Sequence, residues 1–348
     1  MRILVTADPD LPVPPRLYGG IERVIALLVD GLVARGHDVC LVAHRDSRVP
    51  CELVPYADGP TGLKATLKRA ATIASAATRW RPDVIQSFGR LATLAPVLPW
   101  PTPKVMSYQR EITPRAVRWA RALAHGTIQF TGCSRRLIEP VADAGEWHVV
   151  YNAVPLDTLE FSPEVSADAP LVFLGRIEAI KGAHLAIEVA RRTKRRLVVA
   201  GNVPGDEASQ TYFREQVKPH IDGDAVTYVG AVDDVQKSAL LGRASAFLMP
   251  VLWDEPFGIV MAEALACGTP VLGLRRGAVP EVVDHGVTGF VADDVAGLAR
   301  AVERASTLSR AACRAAAVTR FSPRALVDAY EAIFHHALRG GSAVPATA

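Results

Sequence analysis

The sequence predicts an α/β protein with two doubly wound parallel sheets. Short apolar segments rich in β-branched residues alternate with longer segments whose apolar residues recur at helical spacing, and this alternation runs through almost the whole chain. With 348 residues, the chain is long enough to fold as two domains that each bury a core. Strands joined through helices run parallel, so the loops that follow them meet at one edge of each sheet, where such sheets bind ligands.

The first half of the chain opens with a strand at residues 2–7, a long loop, and a helix that begins at Gly19 and Gly20. A glycine pair at a helix start lets the backbone approach a ligand phosphate, and an ordinary turn explains the pair equally well. The dinucleotide fingerprint G-x-G-x-x-G is absent from this segment. The other predicted elements of this half are a strand at 38–44, a helix at 61–79, a strand at 83–88, a short helix at 91–99, a strand at 104–108, a helix from Thr113, a strand at 127–132, a helix from Cys133 and a strand at 148–154.

The second half repeats the same alternation. The predicted elements are a strand that runs into a loop at 171–182, a helix to 192, a strand at 196–202, a further helix, a strand at 225–230, a helix at 234–244, strands at 245–250, 269–273 and 289–292, a helix at 259–266 and C-terminal helices that end with 325–338. No repeat beyond this alternation is present in the sequence.

Composition and the N-terminus favour a cytoplasmic globular protein. The segment MRILVTADPD has a strand pattern and differs from a signal peptide, and no apolar run approaches the roughly 18 residues of a membrane span. The five cysteines show no metal-ligand spacing and are predicted to be inert core residues. Residues 1–157 hold 19 Lys and Arg against 14 Asp and Glu, whereas residues 158–348 hold 20 against 22. A basic N-terminal half favours an anionic acceptor or a membrane surface.

The stretch 250–273 has the pattern strand, loop, helix, strand. Asp254, Glu255 and Pro256 suit the first turn of a helix that ends at Gly268. That helix would present four backbone N–H groups to phosphate or sugar oxygens, those of Phe257, Gly258, Ile259 and Val260. Glu255 and Glu263 would lie about 12 Å apart, too far for one acid–base role. They fit the two ends of a long polar ligand, and spacing alone equally supports a helix-start acid and an unrelated surface acid.

Glu255-Pro256-Phe257-Gly258, then Glu263 and the segment 266–271, closely resemble the E-x7-E signature of retaining glycosyltransferases of family 4. That family has the GT-B architecture, two Rossmann-like domains that face each other across a cleft. Residues 152–155 and 161–163 resemble the family's crossing between the domains. The resemblance implies an acceptor-side domain at 1–157, completed by a crossover helix at about 323–340, and a nucleotide-sugar donor domain at 158–322. The tail 341–348 is expected to be disordered.

The resemblance also implies how a diphosphate leaving group is neutralised. Arg176 and Lys181 match the family's G-R-x-x-x-x-K-G pattern and would bind the diphosphate without a metal, although seen alone they would be solvated surface residues. Glu255 would contact the transferred sugar and Glu263 the ribose. The other donor-binding residues that the resemblance implies are Gly19, Gly20, Gly175, Gly201, Asn202, Val229, Gly230 and the amides of Phe257, Gly258, Ile259 and Val260. The implied mechanism is retaining, and the departing phosphate helps to deprotonate the acceptor.

Gln109 departs from the family pattern, because a histidine near the donor sugar is common at this position. Glutamine can hydrogen-bond a sugar hydroxyl but cannot take a proton. Tyr18, Arg110 and Glu111 become candidate acceptor contacts. Two alternatives to transfer remain: a GT-B sugar-nucleotide epimerase, and a catalytically weak sugar-nucleotide-binding protein, which Gln109 favours.

Arg115, Arg118 and Arg121 lie three residues apart beside Trp119 and indicate either a solvated helix face or a contact with a polyanion or lipid surface. The expected partners are a nucleoside-diphosphate sugar and a sugar, lipid-linked or small-molecule acceptor, with no nucleic acid and with peripheral contact at the inner face of the membrane through the basic half. The pattern leaves UDP, GDP and ADP, the sugar and the acceptor open.

Overall fold

A computed structural model describes residues 1–15, 19–56 and 62–340. Tyr18 and the predicted tail 341–348 lie outside this part of the chain. The described residues form two compact units, each built on one parallel sheet. Unit 1 comprises Met1–Ala153 and the helix that begins at Pro323, and unit 2 comprises Val154–Ser322. The predicted fold class, an α/β protein with two doubly wound parallel sheets, is confirmed.

Unit 1 contains a seven-stranded sheet with the order β3-β2-β1-β4-β5-β6-β7, and every neighbouring pair is parallel. The strands are β1 Arg2–Thr6, β2 Asp38–Ala43, β3 Glu52–Pro55, β4 Val84–Ser87, β5 Lys104–Tyr108, β6 Ile128–Gly132 and β7 Trp147–Val149. The direction of winding reverses between β1 and β4, which makes their carboxyl ends the expected ligand edge. The sequence pattern did not predict β3, because this edge strand is four residues long, partly exposed and ends in a proline.

The helices of unit 1 pack on both faces of this sheet. They are α1 Gly20–Ala34, α2 Leu63–Trp80, α3 Pro114–Ala124 and α4 Arg135–Ile138, with 3₁₀ turns at Leu91–Val97 and Glu139–Ala144. The apolar faces of α2 and α3 enter one buried cluster with the Leu91–Val97 turn and strands β4 to β6. The helices predicted from Gly19-Gly20, Thr113 and Cys133 begin at Gly20, Pro114 and Arg135. The N-cap of the last one is Ser134, whose hydroxyl accepts a hydrogen bond from the Leu137 amide at 3.1 Å.

Unit 2 contains a six-stranded parallel sheet with the order β10-β9-β8-β11-β12-β13, the same doubly wound order. Its strands are β8 Leu171–Leu174, β9 Leu197–Ala200, β10 Val226–Gly230, β11 Ala246–Met249, β12 Val271–Leu274 and β13 Gly289–Ala292. Its helices are α5 Ala183–Thr193, α6 Glu207–Tyr212, α7 Asp234–Gly242, α8 Ile259–Ala266, α9 Val279–Val282, α10 Val295–Arg304 and α11 Arg310–Arg320. Here the winding reverses between β8 and β11.

The C-terminal helix α12, Pro323–Leu338, packs on α1 in unit 1. The Glu331 carboxylate accepts hydrogen bonds from Arg35 and lies 2.6 Å from His37 Nε2. Burial disfavours the charge on Glu331, but these two donors outweigh it and lower its pKa. A side chain on Gly31 would collide with Val327, since an added Cβ would lie 2.4 Å from Cγ2, so glycine permits this close packing.

The buried thiols behave as core residues. Cys40, Cys133, Cys267 and Cys313 are buried, and Cys51 is half-buried. Burial raises the pKa of Cys40 to about 12 and that of Cys267 to about 11, so both stay protonated at neutral pH. Among the helices that the structure describes, none is both long enough and apolar enough to cross a bilayer.

Candidate functional site

Two loops carry a cation and a carboxylate to the same point of unit 2. They follow β8 and β11, the neighbouring strands at which the winding reverses, and they contribute Lys181 and Glu255. Lys181 Nζ donates to Glu255 Oε2 at 2.6 Å, and the two side chains are 17% and 10% exposed. Trp253 completes the group: its Nε1 donates to the same Oε2 at 3.0 Å, and Lys181 Nζ lies 4.8 Å from the centroid of its ring.

The backbones of these two loops are hydrogen-bonded and closely packed against each other. The Leu252 amide donates to the Ile180 carbonyl at 2.8 Å. Gly182 has a φ of +77°, and a Cβ there would lie 2.1 Å from the Pro250 carbonyl oxygen, so only glycine fits between the loops. The Lys181–Glu255 contact therefore rests on fixed backbone as well as on side chains.

The helix predicted at 259–266 is confirmed as α8, Ile259–Ala266, but the residues predicted for its first turn lie outside it. The helix begins at Ile259, with Gly258 as its N-cap at φ 75°, so the prediction of a first turn at Asp254–Pro256 is wrong. Asp254 does not cap the helix, because its carboxylate accepts a hydrogen bond from the Gly277 amide at 3.0 Å. The Ala278 amide likewise donates to the Glu255 carbonyl at 2.8 Å.

Contacts with the segment after β12 therefore hold residues 254–255 in a loop that precedes the helix. Of the four predicted amides, those of Ile259 and Val260 belong to the first helical turn, where N–H groups have no acceptor within the helix. Phe257 and Gly258 lie in the loop that precedes it.

Glu263, on α8, is a nearly buried carboxylate with a lysine partner. Its side chain is 4% exposed, and Lys237 Nζ on α7 donates to its Oε1 at 2.5 Å. Lys237 also lies 3.0 Å from Asp234 Oδ1. Burial disfavours the charged form of Lys237, but the two carboxylates outweigh this effect and raise the pKa of the lysine. Lys237 therefore stays positively charged beside Glu263 and Asp234 at neutral pH.

Three glycines, Gly175, Gly201 and Gly230, lie at the carboxyl ends of the neighbouring strands β8, β9 and β10 of unit 2. The Gly175 amide donates to the Ala200 carbonyl at 3.1 Å, and the Gly201 amide donates to the Gly230 carbonyl at 2.7 Å. Gly201 has a φ of +139°, and a Cβ there would lie 1.8 Å from the Gly175 carbonyl oxygen. Asn202 and Val229 are exposed beside these glycines, and Arg176 forms an ion pair with Glu178 at 3.0 Å.

In unit 1, the corresponding edge carries amides and acids. Gln109 and Arg110 follow β5; Gln109 Oε1 accepts a hydrogen bond from Asn152 Nδ2 at 2.8 Å, and Arg110 donates to Asp8 Oδ2 at 2.9 Å. The Arg110 side chain is 58% exposed, whereas that of Asp8 is 11% exposed. Glu111 is exposed.

The loop after β1 brings a buried acid to the same edge. Gly19 is the N-cap of α1 at φ 148°, and a Cβ there would lie 2.7 Å from Pro15 Cβ. Glu22, in the first turn of α1, is 8% exposed. Burial raises the pKa of Glu22, and the charge of Asp8 raises it further. Among the described residues, no lysine or arginine lies within ion-pair distance of Glu22.

Two family models cover most of the chain. The model for Glycosyltransferase Family 4 matches residues 18–158, and the model for Glycosyl transferases group 1 matches residues 159–319. The chain is a glycosyltransferase of the GT4 type with a GT-B fold.

Similar proteins span nearly the same length as this glycosyltransferase. The glycogen synthase of Mycobacterium tuberculosis strain H37Rv is 27% identical over 87% of the chain and 85% of its own length. The solved structure of sucrose-phosphate synthase from Thermosynechococcus elongatus is 19% identical with a TM-score of 0.79, over 98% of this chain and 100% of that one. The Anabaena protein HepE, solved in complex with UDP and glucose, is 18% identical with a TM-score of 0.74, over 96% and 99% of the two chains. The two solved structures support the fold alone.

In each adjacent aspartate pair of the glycosyltransferase, Asp233-Asp234 and Asp293-Asp294, one aspartate caps a helix. Asp233 accepts a hydrogen bond from the Gln236 amide at 2.8 Å, and Asp294 accepts one from the Gly297 amide at 2.6 Å. Asp8-Pro9-Asp10 has the D-x-D spacing, but Asp8 is paired with Arg110. Across residues 1–15, 19–56 and 62–340, no group of three or more His, Cys, Asp or Glu side chains is arranged to hold a metal ion.

Sequence reasoning did not single out four residues that the structure places beside the predicted ones. Trp253 contacts both Lys181 and Glu255, and Lys237 contacts Glu263. Asp8 and Glu22 lie at the edge of unit 1 that carries Arg110. Trp253 could have been predicted from the sequence, because it precedes Glu255 by two residues. Lys237 could not, because it lies 26 residues from Glu263.

Proposed function

We propose that this glycosyltransferase is a retaining enzyme that moves a hexosyl unit from a nucleoside-diphosphate sugar to an acceptor hydroxyl. The observation that carries the proposal is the Lys181–Glu255 pair at the winding reversal of unit 2. This edge of a doubly wound sheet is where nucleotides bind. Lys181, a cation for phosphate, and Glu255, a carboxylate for sugar hydroxyls, lie there in contact, on two loops that are hydrogen-bonded to each other.

In the proposed reaction, the bond between the anomeric carbon and the diphosphate oxygen breaks, and the diphosphate leaves with the electron pair. Arg176 and Lys181 neutralise the negative charge that develops on the diphosphate. Arg176 donates two hydrogen bonds from its planar guanidinium, and Lys181 contributes a compact ammonium charge. The N–H groups of Ile259 and Val260 at the start of α8 add positive potential, and the loop amides of Phe257 and Gly258 lie next to them. The acceptor oxygen bonds to the same face of the sugar and gives its proton to the departing diphosphate. Gln109 takes no proton in this scheme.

The nucleotide would occupy the glycine-lined edge of unit 2. Gly175, Gly201 and Gly230 allow the base and ribose to approach the backbone, with Asn202 and Val229 at the side. Glu263, held by Lys237, would accept hydrogen bonds from the ribose hydroxyls. HepE, a protein of the same fold, was solved with UDP and glucose, and a starch synthase of that fold was solved with ADP. These structures support a nucleoside diphosphate and leave the base open.

Unit 1 would hold the acceptor, as the predicted acceptor-side domain, with unit 2 as the donor domain. Gln109, Arg110 and Glu111 lie at its ligand edge beside Gly19 and Gly20 of the loop after β1; Tyr18 lies outside the described residues. We propose that the reaction needs no metal, because two cations serve the diphosphate. We also propose a cytoplasmic location. The exposed Arg115, Arg118, Trp119 and Arg121 on α3 fit peripheral contact with an anionic inner membrane face as well as a solvated helix face.

A second candidate is sugar-nucleotide binding without transfer. It is favoured by Gln109, whose side-chain carbonyl is already engaged by Asn152 and which cannot act as an acid or base.

A donor screen tests the proposal. UDP-glucose, UDP-N-acetylglucosamine, GDP-mannose and ADP-glucose are incubated with a panel of sugar, cyclitol and lipid-linked acceptors, and release of the nucleoside diphosphate is followed with and without EDTA. We expect release from one donor that depends on acceptor and persists in EDTA, and an NMR spectrum of the product that shows the anomeric configuration of the donor. An inverted product or a loss of activity in EDTA contradicts the mechanism. Tight binding of a donor without turnover supports the second candidate instead.

A further inference from the structure

Trp253 contacts both members of the central pair through different parts of its indole ring. The ring face lies beside the Lys181 ammonium, with Nζ 4.8 Å from the centroid, while the ring edge donates from Nε1 to Glu255 Oε2 at 3.0 Å. Trp253 itself is half-buried, and the Leu252–Ile180 hydrogen bond next to it fixes its backbone. The face and the edge of one side chain therefore serve a cation and an anion at once.

Without a ligand, the two charges of the pair largely cancel each other. Glu255 Oε2 accepts hydrogen bonds from both the Lys181 ammonium and the Trp253 indole N–H, so its position depends on two donors. A diphosphate carries at least two negative charges and attracts Lys181 more strongly than one carboxylate does. When Lys181 turns towards phosphate, the indole N–H becomes the donor that still holds Glu255.

We infer that Trp253 is a positioning residue, which holds the Glu255 carboxylate in place for the sugar hydroxyls once the donor diphosphate has engaged Lys181. This inference rests on the proposed function, since it assigns sugar and diphosphate to these two residues. The edge of the indole acts on sugar recognition through Glu255, and the face of the indole acts on diphosphate recognition through Lys181. The two roles can be separated, because phenylalanine keeps an aromatic face and lacks the N–H donor.

Binding measurements on Trp253→Phe test this division without requiring turnover. Isothermal titration compares each diphosphate with its sugar nucleotide as three pairs: UDP and UDP-glucose, GDP and GDP-mannose, ADP and ADP-glucose. For the pair that binds the wild type, we expect the Kd of the diphosphate to change less than about threefold. The Kd of the sugar nucleotide should rise about tenfold or more, as expected when a hydrogen bond to a charged group is lost. Where transfer is measurable, the kcat of Trp253→Phe should also be lower than that of the wild type.

Trp253→Ala removes the face as well as the edge, so the affinity for the diphosphate should also fall. Trp119→Phe, an exposed tryptophan of unit 1, is the matched control and should bind both ligands as the wild type does. Melting temperatures of all variants separate misfolding from altered binding. Trp253 is the single tryptophan of unit 2, so a change of intrinsic fluorescence on diphosphate binding should disappear in Trp253→Phe.

Two results overturn the inference. If Trp253→Phe binds both the diphosphate and the sugar nucleotide with the Kd values of the wild type, the indole N–H does not serve the sugar. If it weakens both ligands equally, Trp253 has only a structural role. These results differ from a failure of the proposed function, in which no pair binds the wild type or the wild type binds without transfer; the absence of binding would remove both proposals.

Discussion

The two sheets have the same doubly wound strand order, yet the charges at their ligand edges are arranged differently. In unit 2, each acid of the signature has a lysine partner: Lys181 lies 2.6 Å from Glu255 and Lys237 lies 2.5 Å from Glu263. In unit 1, Glu22 is buried with a raised pKa and no cation within ion-pair distance among the described residues.

The difference indicates two kinds of ligand. A lysine that pairs with a carboxylate can also bind a phosphate, so the edge of unit 2 suits a charged diphosphate. The edge of unit 1 offers amides, an acid with a raised pKa and one half-exposed arginine already paired with Asp8, a set that suits neutral hydroxyl groups. The same strand order therefore carries paired charges at one edge and amides with a buried acid at the other.

Removal of the cation at the centre of unit 2 should have the largest effect. Lys181→Ala deprives the leaving diphosphate of a preorganised charge, so kcat should fall about 10²- to 10³-fold. The rate of diphosphate release at saturating donor measures this loss.

Lys218→Ala removes an exposed lysine of the same unit and is the control, with a rate close to that of the wild type. A rate for Lys181→Ala within about threefold of the wild type would show that the central pair of unit 2 is not the diphosphate site, and the contrast between the units would lose its basis.

The second pair of unit 2 should affect stability before function. Lys237→Met leaves the Glu263 carboxylate buried without its cation, which should cost about 3 kcal/mol in the free energy of unfolding. The double variant Lys237→Met with Glu263→Gln leaves no buried charge behind and should recover most of that stability. Urea unfolding measures both values.

Nucleotide titration of the double variant separates the two roles of Glu263. Stability should return while affinity for the nucleoside diphosphate remains weakened, because the ribose contact is lost with the carboxylate. A double variant that binds as tightly as the wild type would make the Lys237–Glu263 pair purely structural.

The buried acid of unit 1, Glu22, should produce the smallest effect, and with the opposite sign. Because burial raises the pKa of Glu22, the folded state binds this proton more tightly than the unfolded state does, and ionisation at neutral pH opposes folding. Glu22→Gln should therefore raise stability by about 0.5–1 kcal/mol at pH 7. The gain should disappear as the pH falls below the ordinary glutamate value of 4.5, where Glu22 is protonated in both states.

Thermal unfolding at pH 7 and pH 4 checks the sign. Glu111→Gln, an exposed acid of the same unit, should show no gain at either pH. Equal gains for Glu22→Gln at both values would point to packing and not to charge as the cause.

Much of the fold was predictable from local pattern. Apolar runs such as residues 104–108 and 289–292 marked buried strands to within a residue, and Gly19, Thr113 and Ser134 marked helix starts, because these signals act over a few neighbouring residues. The first turn of α8 was not predictable. The acids and the proline at 254–256 are typical of a first helical turn. Asp254 and Glu255 instead form hydrogen bonds with Gly277 and Ala278, more than 20 residues away.

The sequence by itself determined the α/β class and the alternation of strands and helices, because periodicity is a property of neighbouring residues. Its resemblance to the family's motifs supplied the candidate residues Arg176, Lys181, Glu255 and Glu263. Only the tertiary structure decided that Lys181 and Glu255 form one group with Trp253, and that Lys237 accompanies Glu263. The partners of a buried charge are chosen by strand order and loop contacts, which bring together side chains from distant parts of the chain and leave no trace in local sequence.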